Sequence, residues 1–220
     1  MKIIDGKFPE FFADLEKNNN KEWFHANKKR YEQVVKHPFA SLIQALIAPI
    51  QTIDPAISDT TKEIVMRINR DVRFSKDKTL YNTMMKANFT PEGRKSGNPG
   101  FYLGISANDV HMGGGLYQVS PADLKKIRGF MVSNIEMCKQ VFESKRIKEV
   151  FGKVKGEKAK RIDKDLALHV EELPIIQNKQ FFYMKKIAIA DFLKADQVQL
   201  IIEHFETASE AHGFLMKALH

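Results

Sequence analysis

An α+β domain with a mainly antiparallel sheet is what this sequence predicts, on three observations. Apolar residues recur at helical spacing through the first fifty or so residues and again after Pro121. Between these stretches the apolar period falls to two, the spacing of half-buried strands. The candidate strands also follow one another through turns too short for parallel crossovers. The expected layout is a single domain over residues 1–220. It has an N-terminal helical hairpin at about 8–53, a central sheet at about 62–118, and a helix-rich C-terminal part at about 121–220 packed on it.

Each element has its own signal. Phe8-Pro9 opens a helix whose stripe is Phe11, Phe12 and Leu15, and Asn18-Asn19-Asn20 breaks it. Asn20 can cap a second helix carrying Trp23, Phe24, Tyr31, Val34 and Val35, with Trp23 and Phe24 as anchors of the hairpin. Pro38 kinks or restarts that helix, which continues through Phe39, Leu42, Ile43, Leu46 and Ile50 to Asp54-Pro55. Ile64, Met66 and Ile68 then alternate with polar residues as far as Arg73, a strand pattern, and Ser75 to Thr79 forms a turn. Met84 to Phe89, Phe101 to Ser106, and Val110 to Tyr117 are further strands; Pro91 to Gly100 connects two of them. Ser120-Pro121-Ala-Asp123 starts a helix with face Leu124, Ile127, Phe130, Met131 and Ile135. Lys153 to Lys164 is a lysine-rich loop or hairpin, Phe181 to Ile189 a strand, and Asp196 caps one last helix running past Leu215.

Composition narrows the function classes. Thirty-five Lys and Arg against 27 Asp and Glu leave a formal charge of +8, which favours anionic partners. The single cysteine, Cys138, excludes an internal disulfide and a multi-cysteine metal site, and its helical neighbours Ile135, Val141 and Phe142 make it a buried, inert thiol. His204 and His212 lie too far apart on a helix to share a metal, so neither a metal nor a cofactor is expected. No apolar window is long enough to span a membrane and no signal-peptide pattern opens the chain, so the cytoplasm is the expected compartment.

The densest chemistry lies between Arg67 and Lys86, which holds six cations and two carboxylates. On a strand, Arg67, Asn69, Asp71 and Arg73 would share one face. Arginine forks grip phosphate or carboxylate oxygens through paired hydrogen bonds. Arg67, Arg70, Arg73, Lys76 and Lys78 are therefore expected to hold an anion, with Asp71 and Asp77 orienting the cations, Ser75 in the turn between them, and Tyr81 stacking or donating. The alternative is a solvated face of Arg–Asp ladders. Gly113-Gly114-Gly115 is the second unusual feature, since glycine weakens a strand unless a backbone or ligand must come close. Gly114, Gly115 and Tyr117 join the candidate site, and His111 and Tyr117 share a strand parity with Gly113 and Gly115. The run matches neither a Walker A loop nor a Rossmann fingerprint.

Several of these segments together resemble a known family. Phe11-Phe12-Ala-Asp14-Leu15 with Asn18-Asn19, Lys21-Glu-Trp23-Phe24 with Asn27-Lys28 and Tyr31-Glu32, Arg70-Asp71-Val-Arg73-Phe74-Ser75-Lys76-Asp77-Lys78-Thr79, and Gly114-Gly115-Leu-Tyr117 before Pro121 are similar to a bacterial and fungal family known only as domain of unknown function 2461. Leu80 and Asn82 stand where the family pattern has Pro and Lys. The resemblance covers nearly the whole chain and implies a site without implying a reaction.

The expected function is binding of an anionic small molecule bearing phosphate or carboxylate, with any catalysis resting on charge stabilisation by these cations. No nucleophile or general base is assignable. The rival expectation is a nucleic-acid-binding module using basic loops at Arg94-Lys95 and Lys153 to Lys164; a third is an interaction scaffold with no ligand.

Overall fold

The computed structural model describes residues 1–93 and 97–220. Its N-terminal part follows the apolar stripes. Phe8, Phe11, Phe12 and Leu15 are fully buried on one side of α1 (Lys7–Lys17). The Asn18 side chain closes that helix by donating to the Asp14 carbonyl at 2.9 Å. Asn20 starts α2 (Lys21–Ala26) by accepting from the Trp23 amide at 2.9 Å. After α3 (Lys28–Tyr31) the backbone widens into one π turn over Glu32–Lys36 and narrows again into α4 (His37–Ile53). Pro38 accounts for the widening, because it supplies no amide and its ring crowds the carbonyl four residues back. The short α5 (Thr61–Ile64) follows.

The sheet has four strands in the order β1 (Met84–Phe89), β2 (Gly100–Ser106), β3 (Asp109–Leu116) and β4 (Phe181–Ala188), all antiparallel. Its fourth strand therefore comes from the C-terminal part of the chain, beyond the expected sheet limit near residue 118. Between β3 and β4 lie α6 (Pro121–Ser133), α7 (Ile135–Phe142), α8 (Lys145–Phe151) and α9 (Lys164–Ala167). After β4 come α10 (Ile189–Lys194), α11 (Gln197–Thr207) and α12 (Ser209–Leu219). The single last helix expected from Asp196 is thus two. The hydroxyls of Thr207 and Ser209 take the carbonyls of Glu203 and Glu206 at 2.7 and 2.8 Å, and the helix breaks at Ala208 between them.

The helices cover one face of the sheet. Met85, Ala87 and Phe89 of β1, Phe101, Leu103 and Ile105 of β2, Val110, Met112 and Leu116 of β3, and Phe181 and Tyr183 of β4 point into the core. Phe205 of α11 lies 4.9 Å from the Phe101 ring, and His212 of α12, bonded to Asp54 at 2.7 Å, stacks on the same ring. Burying one face of a period-two sheet fixes its register, because a one-residue slip would turn the apolar set outward.

The expected strand from Ile64 to Arg73 is not formed. Val65 and Met66 pair with Ala87 and Lys86, and Asn69 with Tyr81, but these contacts are isolated. Four residues on one side are matched by six on the other. The slack is taken up at Asn82, whose amide donates to the Ile68 carbonyl at 2.7 Å and whose carboxamide donates to the Ile68 and Arg67 carbonyls at 3.0 and 3.2 Å. Residues 67–80 consequently form an arm that leaves β1 at its Met84 end. The expected basic loop at Arg94-Lys95, and with it part of the Pro91–Gly100 connection, lies outside the described residues. Lys153 to Lys164 is partly paired rather than a bare loop: Lys155 exchanges two backbone hydrogen bonds with Phe182 and so shields the open edge of β4.

Two contacts anchor the arm. Asn19 reads the backbone of Tyr81 with both ends of its carboxamide, at 2.9 and 3.0 Å. The Tyr81 ring stacks on Phe24 with centroids 4.0 Å apart. Replacing Asn19 with Ala is expected to cost about 1–3 kcal/mol, the usual penalty for stranding part-buried hydrogen-bonding groups. Denaturant unfolding measures that loss, and faster amide exchange at Arg70 and Asn82 would localise it to the arm.

Candidate functional site

Among the described residues the other face of the sheet carries no helix, and strand register lays it out in rows. Lys86, Gly104, His111 and Lys186 stand directly opposite one another across the four strands. Asn88, Tyr102, Gly113 and Met184 form the next row, and Gly100, Gly115 and Phe182 the one after it. Adjacent strands lie about 4.8 Å apart, so Lys86 and His111 stand about 10 Å apart across Gly104, and the Tyr102 hydroxyl and Met84 Sδ occupy the space over that glycine. A hollow of about 550 Å³ opens over these rows, lined by Lys86, Asn88, Tyr102, His111, Gly115, Tyr117, Phe182 and Met184 among others.

Backbone packing explains much of the bare floor. A Cβ on Gly113 would lie 2.0 Å from the Tyr183 carbonyl oxygen. Gly115 has φ +117°, and a Cβ there would lie 2.2 Å from the Phe181 oxygen. Gly114 occupies a core-facing position between Phe101 and Tyr183. Because β3 is paired on both sides here, its amides serve the ladders and are not arranged as an anion cradle. A Cβ at Gly104 would lie 2.8 Å from the Tyr102 hydroxyl, which reaches over that glycine and donates to Met84 Sδ at 3.6 Å. Burial pushes the Tyr102 hydroxyl up to about 12, so it can donate a hydrogen bond but does not act as a base near neutral pH.

The row is electropositive. Burial, and then Arg70, lowers the Lys86 ammonium below its usual range, and Lys86 Nζ donates to Asn82 Oδ1 at 3.4 Å. Burial is also the main cause lowering His111; Asp109 opposes it, while Lys186, Lys155 and Lys86 reinforce it. Lys186 pairs with Asp109 at 2.9 Å, and Lys155 Nζ donates to the Met184 carbonyl at 3.3 Å.

The Arg- and Lys-rich segment lies elsewhere. None of the residues from Arg67 to Lys78 lines the hollow. Arg70 pairs with Asp77 at 2.5 Å and also meets the Thr79 hydroxyl. The Thr79 amide, and next Arg70, hold the Asp77 carboxyl down at about 2. Arg73 grips Asp71 through two nitrogens at 2.6 and 2.9 Å, and Lys78 donates to the Val72 carbonyl at 3.0 Å. Ser75 closes a turn through its amide to the Val72 carbonyl. Arg67 and Lys76 are exposed. The expected single receptor joining this cluster to the glycine segment is therefore corrected: after Met66 the chain peels away from β1, and the two regions are linked by the field of Arg70 on Lys86 and by Asn82, which bridges Lys86 Nζ and the Arg67 carbonyl. Tyr81 is also corrected, being 5% exposed and spent on Phe24 rather than offered to a ligand. Tyr117 is 67% exposed at the rim of the hollow, edge-on to Phe182. Cys138 is buried in α7 with its thiol pushed up to about 12.

A family model described as conserved hypothetical protein (DUF2461) matches residues 7–214. The chain belongs to the DUF2461 family. No curated protein matches it. In this DUF2461 chain the family-like segments meet in space: Asn19 and Phe24 of the helical hairpin hold Tyr81, and thereby the arm. Lys186, Asn88 and Tyr102 escaped the sequence reading. Tyr102 and Asn88 could have been found from strand parity, but Lys186 could not be placed without knowing that β4 pairs with β3.

His111 gives a signed pH prediction. Its folded pKa lies below the ordinary 6.5, so the unfolded chain takes up a proton first. The stability due to its neutral form is fully present above that value and is lost as pH falls below it. A histidine NMR titration should place His111 below 6.5, and Lys86→Met should move it upward, since a repelling cation is removed. An unchanged midpoint in that variant would mean Lys86 does not act on the ring.

Proposed function

We propose that this chain binds a small molecule bearing a phosphate or carboxylate group on the outer face of its sheet, with the anion in the hollow beside Lys86 and His111. One observation carries this reading. Two groups able to bear positive charge, Lys86 and His111, line the hollow from one cross-strand row, and Lys186 extends that row on β4. Tyr102 lines the same hollow, with its hydroxyl turned over Gly104 toward Met84 Sδ. Asp109, the carboxylate felt by His111, already pairs with Lys186. Arg67 and Lys76 on the arm would add to the positive field that draws an anion in. The cytoplasm is the compartment we assign to this binding. No described helix is long and apolar enough to cross a membrane. If a reaction takes place, Lys86 and His111 would act by stabilising negative charge.

Inorganic phosphate and citrate test the reading by thermal shift and calorimetry. The melting temperature should rise with anion concentration, and binding should tighten as pH falls, because a bound anion favours the imidazolium form of His111. Lys86→Met should weaken binding about tenfold, about 1.4 kcal/mol. Equal melting temperatures with and without anions contradict the proposal and favour a scaffold without a ligand.

A second reading rests on Phe74, which is 95% exposed on the arm with the Arg73 guanidinium 5.9 Å from its ring. Exposed aromatics among cations suit single-stranded nucleic acid. That interaction would weaken steeply with salt and fail in Phe74→Ala, whereas anion binding at the sheet would survive this change.

A further inference from the structure

The hollow has two unlike ends, and from this we infer that its ligand carries a flat ring joined through a short spacer to its anionic group. The inference rests on the anion reading above. The charged row occupies one end. At the other, over Gly100 and Gly115, the floor is peptide backbone without side chains, the kind of surface on which a planar ring can lie.

The walls there suit a ring as well. Tyr117 and Phe182 meet edge-on with centroids 5.3 Å apart, and Met66 and Met184 add polarizable sulfurs. Tyr117 is 67% exposed, with most of its ring left outside the core. A ligand ring between it and the glycine floor would cover that surface. Asn88 borders the slot, and its carboxamide has no partner among the described residues. It can donate and accept at once, which suits the edge of a heteroaromatic ring.

Spacing sets the length of the molecule. Two residues along a strand separate the Gly104 row from the Gly113 row, about 7 Å, and two more reach Gly115. An anion and a ring directly bonded to each other would not occupy both ends. A sugar-sized spacer would, which makes a nucleoside monophosphate the fitting chemical class. The same reasoning disfavours a bare sugar phosphate, which would leave the aromatic end empty.

Calorimetry with three probes, inorganic phosphate, ribose 5-phosphate and AMP, decides the matter on the wild-type chain and Tyr117→Ala. AMP should bind at least about tenfold more tightly than ribose 5-phosphate, in line with about 1–3 kcal/mol per stacked base. Tyr117→Ala, which should keep its fold because the side chain is largely exposed, should close most of that gap. Equal affinity of AMP and ribose 5-phosphate overturns the ring slot while leaving the anion site standing. An AMP advantage unaffected by Tyr117→Ala overturns it too, since the ring then lies elsewhere. If inorganic phosphate itself does not bind, the anion reading fails and this inference falls with it.

Discussion

The close approach of β3 to β4 is the constraint on which the outer face depends. Gly113 and Gly115 sit against the carbonyls of Tyr183 and Phe181 at distances that no Cβ could tolerate. Glycine is therefore required by the backbone before any ligand is considered. The consequence is a sheet whose uncovered face has a floor without side chains at its centre, bordered by Lys86, Asn88, His111 and Phe182. A pleated sheet of ordinary residues would fill that space with its own side chains.

The opposite face supplies the rigidity that makes such a surface useful. Phenylalanines from β1 and β2 meet Phe205, and Asp54 ties His212 against Phe101, so the helical layer and the sheet share one aromatic core. Register cannot slip without exposing that core. The outer rows are thus determined by packing on the other side of the sheet, which keeps Lys86, His111 and Lys186 in line.

Local signals were legible in the sequence and distant ones were not. Asn20, Ser120 and Asp196 announce helix starts because a cap needs only its next three residues, and each accepts the expected amide. β1, β2 and β3 were legible from alternation. The arm was misread because alternation of Ile64, Met66 and Ile68 looks like a strand whether or not its pairing is continuous, and here the pairing is interrupted, with Asn82 bonding Ile68 through both its amide and its side chain. Tyr81 was misread because its stacking partner, Phe24, lies far away in sequence. His111 could be picked out by parity with the glycines, but the lysine beside it on β4 depends on a pairing across some seventy residues.

The arm and the sheet make opposite uses of charge. On the arm, carboxylates neutralise arginines one for one, Asp77 with Arg70 and Asp71 with Arg73, and the pairs brace an exposed loop. Such solvent-exposed pairs add little stability, so their effect is on shape. On the sheet, Lys86 is partly desolvated and has no carboxylate partner among the described residues, and His111 faces three lysines. Amide chemical-shift mapping during a phosphate titration separates the two regions most directly. The account predicts shifts concentrated at Lys86, Gly104, His111 and Lys186; shifts confined to residues 67–80 would contradict it.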